Sequence, residues 1–77
     1  MITNTKQMGE AIRFTRKQLG ITQQDLALSA GTGLRFIVDL EQGKNTVQFG
    51  KALDVIQALG LSIELVATVP REHARDL

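Results

Sequence analysis

The sequence predicts a mostly helical domain of four to five short helices that ends in a single β-strand. Apolar residues recur at helical spacing through most of the chain, and glycines separate the helical runs. The stretch "LSIELVATV" instead alternates apolar and polar residues with a period of two, which is typical of a half-buried strand. A chain of 77 residues has room for one hydrophobic core only, so we expect one domain.

The first predicted helix covers residues 5–19, with Thr5 as its N-cap and Gly20 as its left-handed terminator. Its apolar face contains Met8, Ala11, Ile12 and Leu19. Phe14 falls outside this face, so its ring is either exposed or part of an interface. Four basic residues and one acid lie between Lys6 and Lys17, although the net charge of the chain is only +1. Such a helix face either contacts phosphate groups or is simply solvated.

The amino-acid composition argues against several classes of function. The chain has no cysteine, and its one histidine, His73, lies in a polar C-terminal stretch. We therefore expect no metal site, no cofactor and no enzymatic activity, since the acids and bases are scattered without a nucleophile among them. There is no apolar run long enough to span a membrane and no signal-peptide core, so we expect a cytoplasmic protein.

The stretch "ITQQDLALSAGTGLRFIVDLEQG" predicts two short helices joined by a sharp corner at "AGTG". Thr22 and Asp25 have the spacing of a capping box, and Gly31 ends this second helix. The third helix begins near Gly33 or Leu34 and ends before Gly43. We expect the inward positions of the pair to be Leu26, Ala27, Ala30, Ile37 and Leu40. Two short helices with so tight a connection are typical of a helix-turn-helix, whose second helix enters the major groove of DNA.

The fourth predicted helix runs from about Val47 to Leu59, with Thr46 as its cap and Gly60 as its terminator. Its inward residues are expected to be Phe49, Leu53, Ile56 and Leu59. The strand follows at about residues 61–69, and one of its faces carries Leu61, Ile63, Leu65 and Ala67. Its backbone either pairs with the same strand of a second copy or lies on the helices of its own chain. Residues 1–69 would then form the domain, and residues 70–77 a charged, disordered tail.

The stretch "RKQLGITQQDLALSAGTGLRFIVDLEQGK" resembles the lambda-repressor-like helix-turn-helix of the Xre type. Its continuation through "ALGLSIEL" is similar to the HipB-type antitoxins, and the resemblance covers Met8 to about Leu65. It implies a bundle of four to five helices with a C-terminal strand that pairs in a homodimer. It further implies phosphate contacts at the start of the second helix and in the loop after the third, from Thr22, Gln23, Gln24, Lys44, Asn45 and Thr46. Arg16 and Glu41 match a pair that clamps the first helix to the third.

The base-reading positions differ from those of many members of this family. Gly33 and Leu34 bring no hydrogen-bonding side chain, although Leu34 can touch a thymine methyl group. Arg35 is the best candidate for reading guanine O6 and N7, with a phosphate contact as the alternative. Asp39 either accepts from cytosine N4 or orients Arg35, and Phe36 either packs on a neighbouring helix or contacts DNA or a partner. With so few polar readers, part of any specificity would come from DNA shape.

The resemblance implies a dimeric repressor and antitoxin that binds a palindromic operator in double-stranded DNA, represses its own operon and neutralises a HipA-type serine/threonine kinase toxin. Two alternatives stay open. One is a phage-type repressor or restriction-modification controller with no toxin partner. The other is a protein-interaction adaptor that has kept the fold without DNA binding, an idea to which Gly33 and Leu34 give some weight.

Overall fold

The computed structural model describes residues 1–67, and these contain four α-helices. The helices are α1 (Thr5–Gln18), α2 (Gln23–Ala30), α3 (Leu34–Glu41) and α4 (Phe49–Ala58). A glycine with positive φ follows each of them, namely Gly20, Gly31, Gly43 and Gly60. The predicted helices are thus confirmed in number, order and termination. None of these helices is long and apolar enough to cross a membrane.

One hydrophobic core joins the four helices. Helix α3 lies against both α1 and α2, and α2 also packs on α4. The core residues are Ile12, Leu26, Ala27, Ile37, Leu40, Ala52, Val55, Ile56 and Leu59. Burial of each large aliphatic side chain stabilises the fold by about 1.5–3 kcal/mol. Leu26 of α2 and Ile37 of α3 are both fully buried in this core, and their packing fixes the angle between the two helices.

Helix α1 approaches α3 unusually closely at Gly9. A Cβ atom on Gly9 would lie 2.5 Å from the backbone oxygen of Leu40 and 2.6 Å from that of Glu41. Only a residue without a side chain fits there. The approach brings the last turn of α3 against α1, where Arg16 and Glu41 meet.

Three local predictions were wrong. Asn4, and not Thr5, caps α1, since its side chain accepts from the amide of Gln7. Helix α4 begins at Phe49 after Gln48 and has no side-chain cap, so Thr46 does not cap it. Phe49 is 61% exposed because it is the first helical residue, and helical side chains tilt toward the N-terminus, here beyond the packed turns. Ala52 and Val55 are buried in its place, and Leu53 is half-buried.

The predicted C-terminal strand lies partly within the described residues. Residues 61–67 adopt neither helix nor strand, and no backbone hydrogen bond joins residues 62–67 to another described residue. A strand needs a hydrogen-bonding partner, and the described residues offer none. The inward face proposed for it is largely solvent-accessible, with Leu65 94% exposed. Residues 68–69 of the strand and the predicted tail at residues 70–77 lie outside the described part of the chain.

Candidate nucleic-acid interface

The corner between α2 and α3 occupies three residues. Gly31 adopts the left-handed conformation at φ 72°, and the amide of Thr32 donates to the carbonyl of Ala27 at 2.9 Å, which closes the end of α2. Gly33 then extends the chain at φ −81° and ψ 158° and starts α3 without a side-chain cap. The corner therefore turns the chain sharply, as a helix-turn-helix requires.

Helix α3 has one anchored face and one exposed face. Ile37 and Leu40 hold it in the core, each no more than 1% exposed. Gly33, Leu34 and Arg35 lie at the solvent-facing N-terminal end, and the side chain of Arg35 is 81% exposed. These are the positions from which a recognition helix reaches base edges. The structure thus brings together the residues that the sequence predicted for base reading.

Phe36 lies beside this face without belonging to it. Its side chain is half-buried against the core. The ammonium of Lys51 in α4 sits 5.9 Å from the centre of its ring, within the range of a cation–π contact. Of the two roles considered for Phe36, the structure shows packing.

Asp39 pairs with two cations at once. Its Oδ1 lies 3.1 Å from Nε of Arg35, one helical turn earlier, and its Oδ2 lies 3.5 Å from Nζ of Lys44 in the following loop. The Asp39 side chain is only 15% exposed, whereas the two cations project into solvent. Both carboxylate oxygens are therefore occupied, and Arg35 is held at a defined point on the α3 surface.

A buried ion pair fixes the start of α2 against the end of α3. Arg16 donates to Glu41 through Nε at 2.7 Å and Nη2 at 3.1 Å, and through Nη1 to the carbonyl of Ile21 at 2.9 Å. Gln23, the first residue of α2, donates through Nε2 to the same carboxylate at 3.1 Å. The hydrogen bond with Glu41 raises the pKa of Arg16, so the guanidinium stays charged.

Gln23 consequently keeps one amide hydrogen free. An amide nitrogen carries two donors, and Glu41 takes one of them. A phosphate at the start of α2 can accept the other, where the helix N-terminus also favours an anion. The sequence did not reveal the link between Gln23 and Glu41, since the two residues are 18 positions apart and meet only through the packing of α2 against α3.

The first turn of α2 is closed by the predicted capping box. Thr22 Oγ1 accepts from the amide of Asp25 at 3.0 Å, and the amide of Thr22 donates back to Asp25 at 3.0 Å. Hydrogen bonds to its carboxylate, first from the Thr22 amide and then from the Thr22 side chain, lower the pKa of Asp25. Thr22 and Gln24 are both exposed on either side of Gln23.

The loop after α3 is tied to the start of α1. Thr5 Oγ1 lies 2.9 Å from the carbonyl of Gly43 and 2.6 Å from the side-chain oxygen of Asn45. A hydroxyl has one hydrogen to donate, so turning the Asn45 amide to place its nitrogen toward Thr5 satisfies both contacts. These contacts fix the loop beside α3. Its exposed side chains are those of Lys44, Asn45 and Thr46.

The described residues contain no cluster of metal-ligating side chains. Between residues 1 and 67, no three His, Cys, Asp or Glu side chains come together in a way that could hold a metal ion. The polar groups converge instead on the N-termini of α2 and α3 and on the adjoining loop. That arrangement suits a surface that contacts phosphates and base edges.

The family model described as "Helix-turn-helix domain" matches residues 9–72, which is most of the chain. The uncharacterised HTH-type transcriptional regulator y4mF of Sinorhizobium fredii is 53% identical over 60 residues, covering 78% of this chain and 79% of that protein. An uncharacterised HTH-type transcriptional regulator of Methanothermobacter thermautotrophicus is 34% identical over 70 residues, covering 91% of this chain and 87% of the relative.

Solved structures with a similar fold include complexes of HipB. A chain of the HipA-HipB-O2-O3 complex superposes with a TM-score of 0.82 and 28% identity, covering 90% of this chain and 97% of that one. The chain of the HipB-O4 20mer complex gives a TM-score of 0.81 and 26% identity over the same shares. The fold is thus that of a HipB-type helix-turn-helix protein.

Proposed function

This chain belongs to the helix-turn-helix domain family, as a DNA-binding transcriptional regulator of the HipB type, and we propose that it is the repressor and antitoxin of a HipBA-like operon. The observation that carries the proposal is the exposed N-terminal face of α3, held by a buried anchor and set at a steep corner to α2. The similarity to HipB in its DNA complexes supports the same reading.

In the proposed complex, α3 enters the major groove. Arg35 contacts guanine through O6 and N7, Leu34 touches a thymine methyl group, and Gly33 lets the backbone approach the bases. Gln23 contacts a phosphate at the start of α2, with Thr22 and Gln24 beside it. Lys44, Asn45 and Thr46 contact phosphates on the far side of α3. The few polar base readers leave part of the specificity to DNA shape.

We further propose that the protein acts as a homodimer on a palindromic operator. An apolar cleft of about 620 Å³ lies between α1 and residues 61–66, and Met8, Ala11, Ile63 and Leu65 are among its lining. Pairing of residues 61–69 with the same strand of a second copy would satisfy the free backbone groups and cover these side chains. The two recognition helices would then lie about one helical turn of DNA apart.

The dimer can be tested by Ile63→Pro, which removes a backbone donor from the proposed ladder. We expect light scattering to show a shift from dimer to monomer. Ile63→Ala is the matched control, because it trims the side chain and keeps the amide. A dimer that survives the proline substitution unchanged would mean that another surface joins the copies.

The antitoxin role is supported by the likeness to a chain of a HipA-HipB complex. The partner would be a HipA-type serine/threonine kinase held inactive, and the kinase chemistry would belong to that partner. A HipA-like gene beside this one, and co-purification of the two products, would support the proposal. The named relatives are transcriptional regulators, which keeps a repressor without a toxin as the second candidate. Absence of a neighbouring kinase gene would favour it.

DNA reading is tested by comparing two substitutions on specific and scrambled duplexes. Arg35→Ala should cost about 1–3 kcal/mol on the specific duplex and relax the preference at one base pair per half-site. Gln23→Ala should weaken binding to both duplexes alike, since a phosphate contact carries no sequence information. Equal loss on both duplexes in the Arg35 variant would refute its base-reading role, and unchanged partner binding without DNA binding would favour the adaptor alternative.

A further inference from the structure

Asp39 stands between the proposed base reader and a proposed phosphate contact. Its two oxygens lie 3.1 Å from Arg35 Nε and 3.5 Å from Lys44 Nζ, and its side chain is 15% exposed. We propose that Asp39 is a positioning residue that sets sequence specificity: it aims Arg35 at guanine, keeps Arg35 from binding phosphate on any DNA, and offsets part of the positive charge beside Lys44. This inference rests on the proposed DNA-reading function and deepens it.

The direction of the Arg35 side chain follows from which of its nitrogens lies beside Asp39. A guanidinium has five N–H donors, and the ion pair places a carboxylate oxygen of Asp39 3.1 Å from Nε. The two terminal nitrogens remain free, and their parallel N–H bonds match the O6 and N7 acceptors of guanine. Because residues four apart lie on the same side of a helix, Asp39 fixes the Arg35 side chain along the exposed face of α3.

The effect of Asp39 on phosphate binding follows from the net charge of the three side chains. Arg35, Asp39 and Lys44 together carry a net charge of +1, where the two cations alone would carry +2. Each phosphate that a protein neutralises adds about 0.9 to the slope of log affinity against log salt, which near 0.15 M salt corresponds to about five-fold in affinity. With Asp39 neutral, Arg35 can also move to a phosphate, and binding to random DNA becomes tighter.

The alternative role, acceptance of a hydrogen bond from cytosine N4, needs a carboxylate oxygen turned toward the groove. Both oxygens of Asp39 already face cations, and little of the side chain reaches solvent. Reading cytosine would require breaking at least one ion pair. The geometry therefore favours positioning over direct reading.

The test uses the full chain and 20-bp duplexes selected by the wild type from a random library, beside a scrambled duplex of equal composition. Each guanine of the selected duplex is replaced in turn by 7-deazaguanine, which lacks the N7 acceptor. For the wild type we expect a loss of at least about five-fold at one guanine per half-site, as for a charge-assisted hydrogen bond.

Asp39→Asn should bind the scrambled duplex about five-fold tighter than the wild type, with a salt slope steeper by about 1. Its loss on 7-deazaguanine at the same position should fall to less than about two-fold, because a freed Arg35 turns to phosphate. Asp39→Glu retains the charge and should keep the weak binding to scrambled DNA. Asp54→Asn removes an equal charge at an exposed position on α4 and should change neither quantity.

Three results would overturn the inference. In the first, Asp39→Asn matches the wild type in salt slope and 7-deazaguanine sensitivity. In the second, it weakens both duplexes equally and lowers the unfolding temperature, as a purely structural residue would. In the third, it loses preference at a cytosine instead of a guanine. A wild type that does not distinguish selected from scrambled duplexes would instead refute the proposed function itself.

Discussion

The buried pair of Arg16 and Glu41 gives the sharpest stability prediction. Glu41 accepts three hydrogen bonds, two from Arg16 and one from Gln23, and its side chain is only 3% exposed. Glu41→Leu keeps a side chain of similar size but leaves Arg16 Nε and Nη2 without an acceptor in the core. Breaking a buried pair in this way costs about 3–5 kcal/mol.

That cost is large for this domain. At roughly 0.05–0.15 kcal/mol per residue, 77 residues give a free energy of unfolding of roughly 4–12 kcal/mol. Glu41→Leu should therefore remove at least about a quarter of the free energy of unfolding. Urea unfolding followed by far-UV circular dichroism, at one fixed protein concentration, measures the change, since dimerisation would make the midpoint depend on concentration.

The double variant Arg16→Met with Glu41→Leu shows whether the loss of stability comes from leaving Arg16 unpaired in the core or from losing the ion pair itself. It removes both charges, and apolar replacement of a buried pair is often neutral or stabilising. The carbonyl of Ile21 loses one donor, at about 0.5–1.5 kcal/mol. The double variant should then lie within about 1.5 kcal/mol of the wild type. Glu10→Leu, at an exposed position of α1, should change stability by no more than about 0.5 kcal/mol.

Two outcomes would refute this reasoning: a cost below about 1 kcal/mol for Glu41→Leu, or a double variant as unstable as the single one. The double variant also tests the link to Gln23. It frees the Gln23 amide from its acceptor, so binding to specific and scrambled DNA should weaken together while the fold is retained.

Two further predictions concern single positions. Gly9→Ala should destabilise the protein by about 1–3 kcal/mol, because its methyl group meets two α3 carbonyls, whereas Gly50→Ala, with open space around it, should stabilise α4 by about 0.4–1 kcal/mol in thermal unfolding. Equal effects of the two alanines would contradict the close approach of α1 and α3. The lowered pKa of Asp25 means that its stabilisation is complete above an unfolded-state pKa of about 3.9 and is lost as the pH falls through the folded-state value. The wild type should therefore lose more stability than Asp25→Ala between about pH 6 and pH 3, and equal acid sensitivity would show that the Asp25 carboxylate contributes nothing to the cap.

Local signals made most of the helix boundaries predictable, although the Asn4 cap of α1 was placed one residue late, at Thr5. The capping box at Thr22 and Asp25 and the glycine after each helix depend on neighbouring residues only, and all of these are confirmed. The predicted start of α4 was wrong, because Gln48 makes no side-chain cap and no local signal marks the first residue of the helix. Phe49 followed the apolar period but sits at the helix end, where periodicity does not guarantee burial.

The candidate interface was predictable in its residues but not in its connections. The exposed end of α3 was predictable, because the apolar positions that must enter the core leave the N-terminal residues of this helix outside. The hydrogen bond between Gln23 and Glu41 and the ion pair between Lys44 and Asp39 depend on how separate elements pack, and local patterns carry no such information. The predicted C-terminal strand differs again: its alternation is visible in the sequence, but no described residue pairs with residues 62–67.

The measurement that tests the central claim most directly is a titration of labelled DNA from immediately upstream of this gene with the purified protein, at several salt concentrations and beside a scrambled duplex of equal length. We predict an advantage of at least about 10³-fold for the upstream duplex near physiological salt, the lower end for specific sites. Equal and steeply salt-dependent binding to both duplexes, or no binding at all, would contradict the account. Gly33 and Leu34 would then mark a helix that no longer reads DNA.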